Sequence, residues 1–399
     1  MSYAKARVVR TGLRTFATLG TLFALGGCGV WNWAFGPAEP APKPVKAMHK
    51  EQASVGFGTD WQARLYGRWR LDPYNATQLV VTDDRIYLSD DSGHLLALSR
   101  GGDLRWVYRL DGSSPRGPTV ANGVVYVGTD RGKLYAVSAQ DGKKLWDVQL
   151  EAEPTSPITV ADHRLFLQLS NGHLLALSAS NGAVDWTFSV PQPSLLLRRN
   201  SGIVVAGQTL YTGFADGKLI ALNADNGAEL WRATVAIPHG NNELARMVDV
   251  AATPVLDGNR VIAAAYQGNI AAYSSDSGEE DWSRPMSTVI TPILHDGKLF
   301  VAGSDGQVYA MDPASGSVEW RNIALKGQSM SGMALCDGKL LLSNYAGQVI
   351  TLDPQTGHRT GQETVSSSGI QTAPVCVGKG RFLVLSGVGT LYQLQFQKP

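Results

Sequence analysis

The stretch VYVGTDRGKLYAVSAQDGKKLW, residues 125–146, contains two apolar segments around Gly132 and a second glycine turn ahead of a tryptophan. A short apolar run that includes Val125-Tyr126-Val127 precedes Gly132, and apolar residues recur at Leu134 and Ala136 after it, which is typical of β-strands. The pair Asp141-Gly142 favours a tight hairpin, because glycine accepts the positive φ that such a turn requires. The stretch therefore predicts three consecutive antiparallel strands joined by short turns.

This pattern recurs eight times at intervals of 38 to 51 residues. Each copy has a glycine between its first two apolar segments: Gly93, Gly132, Gly172, Gly217, Gly268, Gly306, Gly347 and Gly389. Six copies carry a tryptophan 13 or 14 residues later: Trp106, Trp146, Trp186, Trp231, Trp282 and Trp320. Since a unit of about 40 residues with four strands is one propeller blade, the sequence predicts an all-β, eight-bladed β-propeller of four-stranded antiparallel blades. We expect the tryptophans to fill the space between blades.

The two ends of the repeat array predict how the ring closes. The eighth copy, RFLVLSGVGTLYQLQFQKP, ends after its third strand and lacks a tryptophan. An N-terminal segment, TDWQARLYG, has Trp61 in a similar setting. We therefore expect an N-terminal strand to complete the eighth blade, which removes the exposed edge that an open ring would leave.

The first 27 residues have the features of an export signal. Lys5, Arg7, Arg10 and Arg14 precede an apolar run that is too short to span a bilayer. The run ends in LGGC, which resembles a bacterial lipobox, so Cys28 is the expected lipidation site; the alternative is a plain secretory signal with an incidental cysteine. The predicted domains are a signal peptide (1–27), a lipidated cysteine with a proline-rich flexible tether (28–56) and the propeller (57–399). With Gly29 after the cysteine, the expected location is the periplasmic face of the outer membrane.

Charge and cysteine content narrow the function further. The chain has 35 Lys+Arg against 34 Asp+Glu, and removal of the signal leaves a small acidic excess, which argues against nucleic-acid binding. Cys336 and Cys376 occupy matching positions in successive repeats and would face an oxidising compartment. Each lies on an apolar stretch at a strand end, which favours two buried free thiols over a bridge. The sequence leaves open whether they ever pair.

The repeat is irregular in two places. The spacing from each tryptophan to the next repeat glycine is 26, 26, 31, 37, 24 and 27 residues, so two adjacent connections between blades are long. They contain PQPSLLLRRN (191–200) and IPHGNNELARMVDVAATP (237–254). Because strands alternate in direction, both should emerge on the face that carries the repeat-glycine turns, where binding residues are expected. The alternative is that the leucines begin an inner strand and face the core.

The repeats resemble those of the pyrroloquinoline-quinone (PQQ) propellers, and the lipobox, tether and single eight-bladed ring resemble the BamB outer-membrane assembly lipoproteins. The stretches PSLLLR (193–198) and RMVDV (246–250) are similar to that family's PSLxLR and RxxDV. The resemblance implies a non-catalytic scaffold, monomeric within the β-barrel assembly (BAM) complex, that binds the periplasmic (POTRA) domains of BamA and aids insertion of β-barrel proteins. Carried over by position, the partner-binding residues are Leu195, Leu197, Arg198 and Asp249. Ala251 stands where the family often has another aspartate, which leaves the acidic half of that contact in question.

The sequence leaves two alternative functions to compare with a scaffold. A periplasmic PQQ-type quinoprotein dehydrogenase would need adjacent cysteines, calcium ligands and a carboxylate base, and the sequence has no adjacent cysteines and no ligand set that can be assigned. No two histidines have metal-ligand spacing, and no Ser/His/Asp arrangement stands out. The sequence thus favours a protein with no catalytic activity, metal or cofactor. The other alternative is direct capture of unfolded outer-membrane β-barrel proteins by strand addition to a blade edge.

Overall fold

The computed structural model describes residues 54–65, 67, 69, 78–193, 195, 197 and 200–398. The predicted signal peptide, Cys28 and the tether up to residue 53 lie outside these ranges. Within the described part of the chain, no helix has the length and apolarity needed to cross a membrane.

The described residues form eight four-stranded antiparallel sheets. In seven of them the four strands are consecutive in the chain, and the eighth combines the first strand with the last three. The N-terminal strand and the strands of blades 1 to 4 are β1 (Gly56–Arg64); β2 (Val80–Val81), β3 (Arg85–Ser89), β4 (His94–Ser99), β5 (Leu104–Arg109); β6 (Pro118–Ala121), β7 (Val124–Gly128), β8 (Lys133–Ser138), β9 (Lys144–Gln149); β10 (Thr159–Ala161), β11 (Arg164–Gln168), β12 (His173–Ser178), β13 (Val184–Ser189); β14 (Ile203–Ala206), β15 (Thr209–Gly213), β16 (Lys218–Asn223), β17 (Glu229–Thr234).

Blades 5 to 8 continue the same arrangement. Their strands are β18 (Val255–Asp257), β19 (Arg260–Ala264), β20 (Asn269–Ser274), β21 (Glu280–Pro285); β22 (Ile293–His295), β23 (Lys298–Ala302), β24 (Val308–Met311), β25 (Val318–Asn322); β26 (Met330–Cys336), β27 (Lys339–Asn344), β28 (Gln348–Leu352), β29 (Arg359–Thr364); β30 (Val375–Gly378), β31 (Arg381–Leu385), β32 (Thr390–Gln397). The predicted eight-bladed propeller is confirmed.

The core lies between neighbouring blades. The two middle strands of each blade are almost entirely buried, because a blade is covered on both faces. One cluster, for example, joins Tyr87 and Leu95 of blade 1 to Val125, Val127 and Tyr135 of blade 2. Each fully buried aliphatic side chain contributes about 1.5–3 kcal/mol. Because neighbouring blades bury these side chains against one another, an isolated blade would leave them exposed.

The repeated tryptophans join each blade to the next, as predicted. Trp106 lies over Gly142 of blade 2, where φ is +73° and an added Cβ would come within 2.7 Å of the ring. This close approach explains why the second turn needs glycine. All six indole N–H groups donate to a carbonyl of the following blade at 2.8–3.2 Å: those of Ala139, Ala179, Ala224, Ser275, Pro313 and Pro354.

The ring closes through β1, which confirms the predicted role of the N-terminal segment. Strand β1 pairs with β32 in an antiparallel register from Gly56↔Gln397 to Arg64↔Thr390. Trp61 lies over Gly102 of blade 1, in the same way as the other tryptophans lie over their glycines. Blade 8 is therefore built from both ends of the propeller sequence.

The predicted pair of free thiols is wrong: Cys336 and Cys376 form a disulfide. Cys336 ends β26 and Cys376 lies in β30, the inner strands of blades 7 and 8. Inner strands converge near the propeller axis, so equivalent positions in neighbouring blades come close, here with a Cα–Cα distance of 5.6 Å. That distance is ordinary for a disulfide. The matching positions of the two cysteines in successive repeats therefore favoured pairing rather than two free thiols.

Candidate partner-binding surface

The connections between blades leave on one face of the ring. After the outer strand of six blades, a backbone N–H donates to the carbonyl of that blade's repeat glycine: Leu110 to Gly93, Leu150 to Gly132, Val190 to Gly172, Val235 to Gly217, Met286 to Gly268 and Val365 to Gly347. The two long connections, which we name the 3–4 connection (residues 190–202) and the 4–5 connection (residues 235–254), therefore emerge on the same face, as predicted.

The 3–4 connection presents leucine to solvent. Leu195 is 38% exposed and lies outside any strand, since the inner strand β14 begins at Ile203. Leu197 is partly exposed, and Arg198 lies outside the described residues. The structure therefore contradicts the alternative in which Leu195 begins an inner strand and faces the core.

A buried hydrogen-bond network fixes the end of the 3–4 connection. The Asn200 side-chain amide donates to Thr155 Oγ1 at 2.8 Å and to Gln168 Oε1 at 3.1 Å. Gln168 in turn donates to Thr212 Oγ1 at 2.7 Å and to the Gly213 carbonyl at 2.9 Å. Because Gly213 packs against Val250 of the 4–5 connection, this network links the bases of the two connections.

The 4–5 connection forms a loop with an exposed tip and a buried base. Every residue from 237 to 246, which we name the exposed loop, is exposed, including Ile237 at 60% and Leu244 at 64%. Met247 and Val248 then turn into the protein and are buried. The sequence pattern did not single out Ile237 or Leu244, the two accessible large apolar residues of this connection.

Asp249, expected on the contact surface, is fully buried. Its backbone N–H donates to the Tyr266 carbonyl at 3.4 Å, and its carbonyl accepts the Tyr266 N–H at 2.7 Å. The next residue, Val250, donates its N–H to the Phe214 carbonyl. Asp249 therefore sits between blades 4 and 5, and neither of its carboxylate oxygens has a hydrogen-bond partner in the described structure.

Burial raises the pKa of Asp249 well above its usual range. The negative charge of Asp216 raises the pKa further, and the positive charge of Arg116 opposes the shift. Burial also raises the pKa of Asp216, whose carboxylate accepts the Lys218 N–H at 3.2 Å. A buried acid without a hydrogen-bond donor favours its neutral form. The Asp249 side chain, expected among the contact residues, has no exposed surface in this structure.

A serine, a histidine and an aspartate do meet in the described structure, at the repeat turn of blade 1. Asp90 accepts the backbone N–H groups of Ser92 and His94 and also the Ser92 hydroxyl, the last at 2.6 Å. His94 Nδ1 faces the same carboxylate at 2.8 Å, while Arg109 donates to its Nε2 at 2.7 Å. In a nucleophilic triad the histidine would separate serine from carboxylate. Here the serine and the histidine both bind Asp90, which is the geometry of a turn cap.

A central cavity of about 330 Å³ lies where the inner strands converge. All eight blades or their connections contribute to its wall, including Arg116, Asn200, Ser331 and Thr372. The described lining residues include no acidic residue, histidine or cysteine. A cofactor in this cavity would meet hydroxyl groups, amides and one guanidinium. The described lining residues include no carboxylate that could act as a base.

Comparison with known proteins identifies the family. A family model described as "Outer membrane protein assembly factor BamB" matches residues 100–322, more than half of the chain. The chain belongs to the BamB family. This match covers blades 2 to 6 entirely, and with them both long connections.

Individual relatives extend the BamB match over most of the chain. The outer membrane protein assembly factor BamB of Escherichia coli is 28% identical over 380 residues, which cover 93% of this chain and 95% of that protein. The BamB of Nitrosomonas eutropha is 28% identical over 197 residues, but the alignment spans only 49% of this chain and 38% of that protein. The crystal structure of BamB from Moraxella catarrhalis superposes with a TM-score of 0.76 at 22% identity, covering 86% of this chain and all of that one.

Ala251, the other position of this stretch that the resemblance brought into question, is also internal. Ala251 is buried and lines the central cavity. Its alanine therefore does not remove an acidic group from the outer surface of this structure. The accessible part of the 4–5 connection lies earlier in the sequence, in the exposed loop.

Replacement of the buried acid tests this description. Asp249→Asn should raise the free energy of unfolding at pH 7.5 by about 1–3 kcal/mol, because it removes an ionisable group that has no partner. The pKa of Asp249 is higher in the folded state than in the unfolded state. At pH values above the ordinary aspartate pKa, the carboxyl therefore lowers the free energy of unfolding. This loss of stability disappears as the pH falls below about 4. The gain should therefore be large at pH 7.5 and small at pH 4 in urea denaturation.

The matched control is Asp276→Asn, in an exposed turn of blade 5. It should leave stability unchanged within about 0.5 kcal/mol at both pH values. A loss of stability in Asp249→Asn at pH 7.5 would show instead that the ionised carboxylate is bound by a group that stabilises it.

Proposed function

We propose that this chain is a non-catalytic scaffold of the outer-membrane β-barrel assembly complex, which binds the periplasmic (POTRA) domains of BamA through the 3–4 and 4–5 connections. Membership of the BamB family supports the role in assembly. The main support for this binding site is that the two long connections emerge on one face and expose Leu195, Ile237 and Leu244.

The composition of this face suits a protein interface. Contact energy concentrates in a few apolar and arginine side chains that a partner buries completely. Leu195 and Leu197, with Arg198 next in sequence, are such residues, and each leucine can contribute about 1.5–3 kcal/mol when it is buried. Asp249 belongs to the same site as a support beneath the surface, since it is inaccessible in the free protein.

The closed ring supplies a rigid base for these connections. The buried network of Asn200 and Gln168 holds the end of the 3–4 connection, and the backbone bridge between Asp249 and Tyr266 holds the end of the 4–5 connection. A surface that is ordered before binding loses less conformational entropy when it binds. Such a scaffold would hold BamA periplasmic domains in an orientation that receives unfolded β-barrel proteins.

The proposed scaffold is tied to the outer membrane at its periplasmic face. Lipidation of Cys28 would provide the anchor, and the proline-rich segment ahead of Ser54 would keep the propeller away from the lipid. In this role the chain acts as one copy within the complex, without a cofactor.

The test is the affinity of the soluble chain, from Gly29 onward, for the periplasmic region of its own organism's BamA. Leu197→Asp should weaken binding at least about 30-fold, because a charge replaces an apolar contact. Arg198→Glu should also weaken it. Leu145→Asp is the matched control, since Leu145 is 54% exposed on the outer strand of blade 2, away from both connections.

The result expected for Leu145→Asp is wild-type affinity. If Leu197→Asp also bound within threefold of wild type, with an unchanged circular dichroism spectrum, the proposed surface would be incorrect. Absence of binding by the wild-type chain would contradict the scaffold role itself.

A further inference from the structure

The described chain enters the propeller on the face opposite the two long connections. Strand β32 begins just after the repeat glycine Gly389 and ends at Gln397, which pairs with Gly56 at the start of β1. The Val55 N–H, just ahead of β1, donates at 3.1 Å to the carbonyl of Thr360, which follows the second turn of blade 7. We name the face that carries the second turns of the blades the entry face.

Basic side chains surround this entry point in blades 7 and 8. Lys339 begins β27, and its Nζ atom lies 5.2 Å from the centre of the Phe396 ring. Phe396 lies next to the end of β32. Three further basic side chains at turns or strand ends of the entry face are exposed, and with Lys339 they form what we name the basic sector: Arg359, Lys379 and Lys398.

The acidic side chains of the same part of the entry face are engaged within the propeller. Asp337 accepts the Gly380 N–H and thereby joins the turns of blades 7 and 8. Asp353 accepts two backbone N–H groups of its own turn, at 2.8 and 3.0 Å. Asp60 forms an ion pair with Arg381 at 2.7 Å. The exposed ends of the basic sector therefore give this part of the described entry face a positive potential.

The opposite charge prevails across the ring, on blades 4 to 6. Arg260 and Lys298, which begin inner hairpin strands there, form ion pairs with Asp281 and Glu319. The entry-face turns and strand ends of these blades carry many further acids: Asp225, Glu229, Asp257, Asp276, Glu279, Glu280, Asp296 and Asp312. The described entry face is thus basic beside the chain entry and acidic on the far side of the ring.

We propose that the basic sector binds the anionic headgroups of a phospholipid surface. Each Lys or Arg near such a surface adds attraction, which falls off within about 8 Å at physiological ionic strength. The acidic side of the entry face is repelled by the same surface, so the two charges together select one orientation of the ring.

The position of the chain entry is what favours lipid over another anionic partner. The sequence just ahead of Ser54, residues 42–53, carries Lys43, Lys46 and Lys50 against Glu51, so the positive charge continues toward the expected anchor. This inference rests on the lipid anchor of the proposed function. It goes beyond that function, because it assigns a second surface and leaves the 3–4 and 4–5 connections on the other face for BamA.

Co-sedimentation with lipid vesicles tests this proposal on the unlipidated chain from Gly29 onward, so that neither an acyl anchor nor BamA contributes. Wild type should bind vesicles that contain phosphatidylglycerol and should not bind vesicles of phosphatidylcholine alone. Lys379→Glu/Lys398→Glu should bind the anionic vesicles at least about 10-fold more weakly. Lys143→Glu/Lys144→Glu is the matched control, because it makes the same change in net charge at exposed positions of the entry face in blade 2.

The control variant should bind as wild type does, and an ionic strength of about 1 M, which screens charges beyond about 3 Å, should release wild type from the vesicles. Equal losses in the two variants, or equal binding of wild type to anionic and neutral vesicles, would overturn the proposal. Should the double variant not fold, Lys398→Glu alone, outside any strand, carries the same test.

Two competitors identify the source of the anionic group. Displacement by inorganic phosphate, at an ionic strength at which chloride does not displace the chain, would assign the basic sector to free phosphate instead of lipid. Stronger binding to polyglutamate than to the anionic vesicles would assign it to an acidic polypeptide. Either result would contradict the proposal.

The affinity for the BamA periplasmic region separates this inference from the proposed function. Lys379→Glu/Lys398→Glu should bind BamA as wild type does, since both lysines lie on the face opposite the two connections. Failure of wild type to bind the anionic vesicles, with BamA binding intact, would overturn this inference alone. Vesicle binding without BamA binding would overturn the scaffold role and leave the basic sector as a lipid contact.

Discussion

A chain that begins at Leu65 is expected to lose cooperative unfolding and to aggregate, whereas a chain that begins at Ser54 should unfold like the full-length protein. The difference between the two is β1, which the structure uses to complete blade 8. Without β1, blade 8 keeps three strands and β32 becomes an exposed edge, which is a template for aggregation.

The expected effect is large because β1 contacts three blades. Trp61 covers Gly102 of blade 1, and Phe57 packs against Phe382 and Phe396 of blade 8 with ring centroids 6.1 Å apart. The Val55 N–H, just ahead of β1, donates to the Thr360 carbonyl of blade 7. Removal of β1 takes away these partly buried aromatic contacts together with the whole ladder to β32, and native domains are stable by only about 5–15 kcal/mol.

Calorimetry and size-exclusion chromatography of the two truncated chains check this prediction. The chain from Ser54 controls for removal of the segment ahead of β1. A monomeric chain from Leu65 that melts cooperatively near the wild-type temperature would show that closure by β1 is dispensable.

Loss of the disulfide is expected to lower the free energy of unfolding by about 3–4 kcal/mol. Cys336 and Cys376 are 40 residues apart, so the bond restricts a long segment of the unfolded chain. It also joins the inner strands of blades 7 and 8, and blade 8 is the one that the two chain ends complete. The double variant Cys336→Ala/Cys376→Ala should therefore unfold at a lower urea concentration than wild type.

Reductant provides the internal control for this measurement. Wild type unfolded in the presence of dithiothreitol should approach the midpoint of the double variant, and the double variant should not respond to reductant. Equal stability of the oxidised wild type and the double variant would show that the bond does not stabilise the fold.

The repeated part of the fold could be predicted because one physical requirement recurs in every blade. Each second turn needs a glycine, since the tryptophan of the preceding blade lies directly on it, as Trp106 does on Gly142. The apolar strands and the turn residues between them predict the hairpins. The eighth copy lacks its outer strand, so the segment around Trp61 is predicted to supply it and close the ring. These are local signals with a constant spacing.

The features that sequence reasoning missed depend on contacts between blades or on a loop without periodicity. Pairing of Cys336 with Cys376 depends on how closely inner strands converge, which no single repeat encodes. Burial of Asp249 depends on the path of the 4–5 connection between Phe214 and Tyr266. The loop that exposes Leu244 has no strand or helix period, and only its turn-forming residues, such as Gly240 and Asn242, could have indicated a protruding tip.

The measurement that tests the central claim most directly is site-specific photo-cross-linking of the full-length protein in its native cell envelope. A photoreactive amino acid at Leu195 should give a cross-linked product that contains BamA, because Leu195 is exposed on the proposed surface. The same probe at Leu145 should give none. Absence of a BamA product from position 195, or equal yields from both positions, would contradict a scaffold that binds BamA through the 3–4 and 4–5 connections.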